Sequence, residues 1–171
     1  SIDNRVSVFI LIETFRKLKQ VPFDVYGVFT VQEEVGIRGA NVAAHHIEPD
    51  FGIGLDTTIA YDVPGSQPHE RVTALGKGAA IKIMDSSTIC DARMVEFMKK
   101  SADKHKIKWQ PEILQAGGTD TAGIQRMGKT GAIAGAISIP TRHIHQVIEM
   151  ADKTDISSCI ELLVVCLKEM D

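Results

Sequence analysis

The sequence has few cysteines, no marked excess of charge and no long apolar run. Its three cysteines show no C-x-x-C spacing, which argues against a disulfide framework or a thiolate zinc site and favours reduced core thiols. A net charge of −3 gives no reason to expect nucleic acid or an anionic membrane as a partner. No apolar stretch approaches the ~20 residues of a membrane-spanning helix. The sequence therefore predicts a cytoplasmic protein without nucleic-acid or membrane partners.

The length of 171 residues fits one domain with a buried core. Hydrophobic residues make up 44% of the chain and charged residues 24%, which is ordinary for a globular protein. The chain begins with Ser1 instead of Met, and we expect it to be a piece of a longer protein. Residues 1–171 are accordingly interpreted as a single domain.

Strand-like segments alternate with helix-like segments along the chain. Runs of β-branched, aromatic and small apolar residues predict strands at 24–31, 50–56, 79–84, 109–114 and 131–139. Helical spacing of apolar residues and turn signals predict helices at 4–19, 37–46, 91–106, 119–126 and 155–168. Strands separated by helices predict an α/β fold, a three-layer αβα sandwich around a mixed, largely parallel central sheet.

In such sheets, functional residues gather in the loops that follow the carboxyl ends of the strands. This rule selects the segments around Glu33, Asp56, Gly117 and His145, because each follows an apolar run predicted as a strand. The run before Glu33, at 24–31, is predicted to be a fully buried strand.

The adjacent carboxylates Glu33 and Glu34 are the first candidates for chemistry. In a turn, neighbouring side chains point in different directions, so one carboxylate could bind a metal while the other acts as a base towards a metal-activated water. The alternative is a solvated acidic turn, or two favourable charges at the start of the following helix. Taken alone, this pair is a weak signal.

Three other residues complete a possible ligand set. Asp56 ends an apolar run, His145 belongs to an H-x-H pattern after Pro140, and Asp3 precedes a predicted helix. Their structural alternatives are an Asx turn, a surface or core histidine, and a helix N-cap. Together with Glu34 they supply three carboxylates and an imidazole, a set that suits divalent zinc, cobalt or manganese in a two-metal hydrolytic site.

The last candidate is Gly117-Gly118-Thr119-Asp120, which stands before a predicted helix. Two glycines there permit close backbone approach and leave N–H groups free. The alternative is a simple strand-to-helix turn in which Thr119 or Asp120 caps the helix. The segment matches neither the dinucleotide-binding nor the phosphate-loop pattern, which disfavours nucleotide binding.

The sequence resembles the tetrahedral, TET-type aminopeptidases of the glutamyl-aminopeptidase and deblocking-aminopeptidase family, some of which were formerly labelled endoglucanases. The resemblance is carried in order by DNRV at 3–6, FTVQEEVG at 29–36, LD at 55–56, GGTD at 117–120 and PTRHIH at 140–145. It runs the length of the chain. The resemblance implies a zinc-peptidase-like fold and hydrolysis of the N-terminal peptide bond of short peptides.

The resemblance also implies a role for each matching residue. Asp3 matches the aspartate that bridges two metal ions, and Glu33 matches the general base. Glu34 and His145 match ligands of one metal, and Asp56 matches a ligand of the other.

The resemblance further implies two divalent ions, zinc or cobalt, peptide substrates and a homo-oligomer, which is a dodecameric shell in the family. The segment 117–120 matches a loop near the substrate cleft and is predicted to bind substrate.

The family's remaining ligand, a histidine in an H-x-D motif, and its small inserted β-domain lie upstream of the bridging aspartate and are not in this sequence. An alternative is therefore a catalytically silent or single-metal chain that serves as a scaffold or assembly subunit. An endoglucanase is disfavoured, because two carboxylates flanking a sugar would leave His145 and Asp56 without a role.

Overall fold

A five-stranded mixed sheet forms the centre of the molecule. The computed structural model describes residues 1–170, and its strands are β1 (Phe51–Ile59), β2 (Ala79–Met84), β3 (Trp109–Ile113), β4 (Ile133–Arg142) and β5 (Met150–Ala151). The strand order is β1-β4-β2-β3, and β5 pairs with the end of β4. β1 is parallel to β4 and β2 is parallel to β3, whereas β2 and β5 run antiparallel to β4. The predicted mixed, largely parallel sheet is confirmed.

Helices cover both faces of this sheet. They are α1 (Arg5–Lys17), α2 (Arg38–Ile47), α3 (Ala92–Lys104), α4 (Thr121–Met127) and α5 (Lys153–Glu169), with a short 3-10 turn at Pro68–Glu70. Among the described residues, no helix is long and apolar enough to cross a membrane. α1 and α3 both pack on α5, and α2 packs on α4.

Two glycines show that these helix groups lie on opposite faces. Gly54 of β1 lies against Thr121 of α4, and a side chain there would overlap the threonine hydroxyl. Gly135 of β4 lies against Met94 and Met98 of α3, and it pairs with Ile53, the neighbour of Gly54. Because successive residues of a strand face opposite sides, α4 and α3 cover different faces. The predicted three-layer αβα sandwich is confirmed.

β4 is longer than predicted and continues through Pro140. The sequence prediction ended this strand at 139, because proline cannot donate a ladder hydrogen bond. In the structure, β2 pairs with Ile137 and Ser138, and β5 pairs only after the proline, at Thr141 and Arg142. Pro140 falls between the two pairings, so the strand loses no hydrogen bond there.

The predicted buried strand at 24–31 is wrong. The segment forms no helix and joins no sheet within the described part of the chain. Its large apolar side chains are exposed, at 64% for Tyr26, 57% for Phe29 and 68% for Val31. A run of β-branched and aromatic residues favours a strand, but a strand forms only where a neighbour pairs its backbone groups. Glu33 therefore follows an exposed, unpaired segment.

Candidate metal centre

Three of the predicted ligands lie together at one end of the molecule. His145 Nε2 lies 3.2 Å from Asp3 Oδ2 and 3.3 Å from Glu34 Oε1. One ligand atom from each of the three lies within 4.8 Å of the others. Within residues 1–170, no other group of three or more histidine, cysteine or acidic side chains meets this distance. The chain thus brings together residues from positions 3, 34 and 145.

Glu149 holds two of these residues in place. One of its carboxylate oxygens accepts hydrogen bonds from the backbone N–H groups of Ile2 and Asp3, and the other accepts from His145 N at 3.2 Å. Glu149 therefore ties the start of the chain to the turn after β4. No motif in the sequence predicts a role for Glu149, because this residue accepts hydrogen bonds from backbone N–H groups.

The two adjacent glutamates lie in a tight turn. The carbonyl of Glu33 accepts from Gly36 N at 3.1 Å and from Ile37 N at 2.9 Å, and Ile37 adopts a left-handed conformation with φ 57°. The Glu34 side chain is 62% exposed and points to His145. Glu33 is half-buried. The two carboxylates therefore occupy different environments.

Glu33 faces mostly negative neighbours. The pKa of Glu33 is raised to about 7, chiefly by burial and also by the charges of Asp120, Glu34 and Asp3, while His145 opposes the rise. Such a carboxyl changes protonation near neutral pH, unlike an ordinary glutamate.

Asp56 lies in β1 and is only 9% exposed. Its Oδ1 accepts a hydrogen bond from Thr57 N at 2.8 Å. The pKa of Asp56 is raised to about 8, chiefly by burial and also by the charge of Glu33, while the Thr57 bond opposes the rise. The side chain does not belong to the three-residue cluster, so its role as a ligand stays a prediction.

The loop 117–120 lies beside Glu33 and is anchored on both sides. Ser86 donates its hydroxyl hydrogen bond to Gly117 O, and Gly118 lies so close to Ser87 that a side chain would overlap it. Thr30 donates a hydrogen bond to Asp120 Oδ2. Burial raises the pKa of Asp120, and the Thr30 bond lowers it. Binding of substrate by this loop stays a prediction.

An open cleft of about 630 Å³ leads to the three-residue cluster. The side chains that line it are Ser1, Asp3, Glu34, His145, Gln146, Val147 and Glu149. A small organic molecule or the end of a peptide fits in such a volume.

The family model described as M42 glutamyl aminopeptidase matches residues 1–162. The chain belongs to the M42 glutamyl aminopeptidase family. Its resemblance to the TET-type aminopeptidases is thereby confirmed.

Relatives of this M42 chain are about twice as long. A putative aminopeptidase from Acetivibrio thermocellus is 42% identical over 164 residues, which are 96% of this chain and 49% of the relative. An aminopeptidase structure from Desulfurococcus kamchatkensis has a TM-score of 0.95 at 39% identity, over 98% of this chain and 47% of its own. The TET1 peptidase of Pyrococcus horikoshii, which can assemble into a tetrahedron or a large octahedral shell, has a TM-score of 0.81 at 29% identity, over 99% and 49%. The chain spans about half the length of the relatives it matches.

The electrostatics of this M42 site suit a cation. Burial raises the pKa of both Glu33 and Asp56 strongly, and the charges of neighbouring carboxylates add to each rise. The nearest buried lysine, Lys82, forms ion pairs with Glu112 at 2.7 Å and Asp85 at 3.1 Å. A divalent ion would relieve the repulsion.

Proposed function

We propose that this chain carries the general base and most of the metal ligands of a metal-dependent aminopeptidase. The observation that supports this most is the meeting of Asp3, Glu34 and His145 within 4.8 Å. Membership of the M42 family and the aminopeptidase names of its relatives support the reaction class. The substrates would be short peptides with a free N-terminus, and residues 1–171 would form one catalytic-type domain.

The ligand chemistry fits a divalent ion such as zinc or cobalt. Two carboxylates and one imidazole are a frequent set for zinc in hydrolytic sites. The side chains of Glu34 and His145 are each 62% exposed, which leaves room for water and substrate. A divalent ion held by Asp3, Glu34 and His145 would lower the pKa of a bound water and polarise a peptide carbonyl.

Glu33 would move the proton. It is adjacent to the ligand Glu34 but outside the three-residue cluster, so its carboxylate stays free to accept a proton from water. In the metal-free chain the pKa of Glu33 is raised to about 7, chiefly by burial, and as a free carboxylate beside the ligands Glu33 would take that proton and return it to the leaving amine. Glu149 would keep Asp3 and His145 fixed through their backbone N–H groups.

A second ion would lie between Asp3 and Asp56. The charges of Glu33 and Asp3 both raise the pKa of Asp56, and this shared negative charge supports a cation there. A single-metal scaffold or assembly subunit is the second candidate, favoured by the presence of one ligand cluster among the described residues. We also propose homo-oligomer assembly, because the related TET1 peptidase forms closed shells.

Metal binding tests the proposal directly. We expect the purified chain to bind zinc or cobalt in titration calorimetry, and His145→Ala to lose the binding because one of three ligands is removed. The control is His45→Ala, which removes an exposed histidine from α2 outside the cluster and leaves binding unchanged. About two ions per chain would favour the dinuclear enzyme, and about one would favour the second candidate. Equal binding by the parent and His145→Ala would refute the site.

A further inference from the structure

The segment that carries Glu33 has almost no support from the rest of the backbone. Residues 19–30 form no helix or strand and make no backbone-to-backbone hydrogen bond to any described residue. Regular backbone bonds resume only at the turn, where Val31 O accepts from Gly39 N at 3.0 Å. The aromatic ring of Phe15 lies against Gly27 of this segment.

One side-chain hydrogen bond joins the segment to the loop before α4. Thr30 Oγ1 donates a hydrogen bond to Asp120 Oδ2, and within residues 1–170 it is the only hydrogen bond formed by any residue of 19–30. Both residues are half-buried, and Thr30 stands three positions before Glu33. A hydrogen bond to a carboxylate is stronger than one between neutral groups.

Asp120 itself is held firmly. It precedes α4, whose first residue Thr121 is fully buried against Gly54 of β1. The loop before it is clamped by contacts of Gly117 and Gly118 with Ser86 and Ser87. Asp120 thus precedes a helix that packs directly on β1, the strand that carries Asp56.

The carboxylate of Asp120 has no competing task in the helix. It occupies the N-cap position of α4 but makes no capping hydrogen bond. Its second oxygen, Oδ1, is buried without a hydrogen-bond partner. The side chain is turned towards Thr30 and Glu33, and its negative charge acts on Glu33.

We infer that Asp120 is a positioning residue, which fixes Glu33 relative to Asp56 by accepting the hydrogen bond of Thr30. The inference rests on the proposed role of Glu33 as the base. It differs from the sequence prediction that the 117–120 loop binds substrate, because Asp120 would act through Thr30 and not through the peptide.

The test uses variants of the whole chain that remove or keep the hydroxyl. Thr30→Val deletes the donor, Thr30→Ser keeps it, and Asp120→Ala deletes the acceptor. Thr154→Val is the matched control, because Thr154 Oγ1 donates a comparable bond of 2.6 Å to Asp152 at the exposed start of α5. Hydrogen exchange of the amides at 36–39, which hydrogen-bond within the turn around Glu33, reports on the turn whether or not the chain is active.

We expect Thr30→Val and Asp120→Ala to speed exchange at 36–39 by roughly tenfold or more, with α3 and α5 unchanged. The double variant should be no faster than either single one, because both remove the same bond. Thr30→Ser and Thr154→Val should show the same exchange rates at 36–39 as the parent. In the metal-loaded chain, peptide hydrolysis should show kcat lowered by about ten- to hundredfold with KM little changed.

Parent-like exchange in Thr30→Val, additive effects in the double variant, or failure of Thr30→Ser to restore the parent values would overturn the inference. Changed exchange in a metal-loaded chain that hydrolyses no peptide would support the positioning contact and count against the proposed function instead. A loss of metal binding together with kcat would also overturn it, since the contact would then support the ligands and not the base.

Discussion

The buried carboxyl of Asp56 should make the metal-free protein less stable as the pH rises. Its pKa is about 8 in the folded chain against 3.8 for the ordinary group. A raised pKa means that the folded chain favours the protonated acid. Below the ordinary pKa, Asp56 is protonated in both the folded and the unfolded chain, so it causes no pH dependence of stability. Between the two values the unfolded chain ionises first, and the free energy of unfolding falls by about 1.4 kcal/mol for each pH unit.

Across three pH units this loss is on the order of 4 kcal/mol, which is a large part of a typical domain's stability. Asp56→Asn should remove it, because the amide cannot ionise but its oxygen can still accept the hydrogen bond of Thr57 N. We expect the free energy of unfolding of the variant to equal that of the parent at about pH 4 and to exceed it by several kcal/mol at about pH 8. Urea unfolding followed by the fluorescence of Trp109, the single tryptophan, measures both.

The control is Asp50→Asn, which neutralises an exposed aspartate just before β1. It should leave the pH dependence of the parent unchanged. Zinc or cobalt should restore stability to the parent at high pH and less so to Asp56→Asn, because the ion replaces the protons that the carboxylates otherwise bind. Identical pH slopes for the parent and Asp56→Asn would refute the reasoning that this carboxyl carries a burial cost.

Two further substitutions test Glu33 as the base and the packing of Gly54 in β1. Glu33→Gln should keep metal binding and lower kcat by roughly a hundredfold or more, because the amide cannot accept the proton; full activity in a peptide-hydrolysis assay would rule out the role of base. Gly54→Ala should lower the free energy of unfolding by about 1–3 kcal/mol in urea, because the added methyl overlaps the buried Thr121 hydroxyl. Gly128→Ala, where the nearest heavy atom is 3.8 Å away, is its control and should be near neutral.

Sequence patterns predicted the elements that are defined by their own composition. The small and branched residues before Pro140 indicate a strand, and β4 confirms it although its end was misplaced. The run at 24–31 has an equally strong pattern, yet it pairs with nothing among the described residues. Whether a strand forms depends on the neighbouring backbone, and a local pattern contains no information about that neighbour.

The candidate site also shows that local patterns do not identify neighbours in space. Local sequence favoured a helix cap for Asp3 and an acidic turn for Glu33 and Glu34. Their ligand chemistry grouped Asp3 and Glu34 with His145, and the resemblance to a family gave each residue its role. In the structure Asn4 occupies the N-cap position of α1, and Asp3 faces His145 at 3.2 Å. Neither local sequence nor the family resemblance predicted Glu149, because its partners are backbone N–H groups, which do not depend on the side chain.

The pair Glu33 and Glu34 shows how two identical neighbours acquire different chemistry. The turn after Glu33 directs Glu34 outwards, where its side chain is 62% exposed and lies 3.3 Å from His145. It sends Glu33 inwards, where burial and the charge of Asp120 oppose ionisation. A ligand must stay charged, whereas a base must gain and lose a proton near neutral pH. The direction of each side chain, set by the turn, therefore fits Glu34 to the first task and Glu33 to the second.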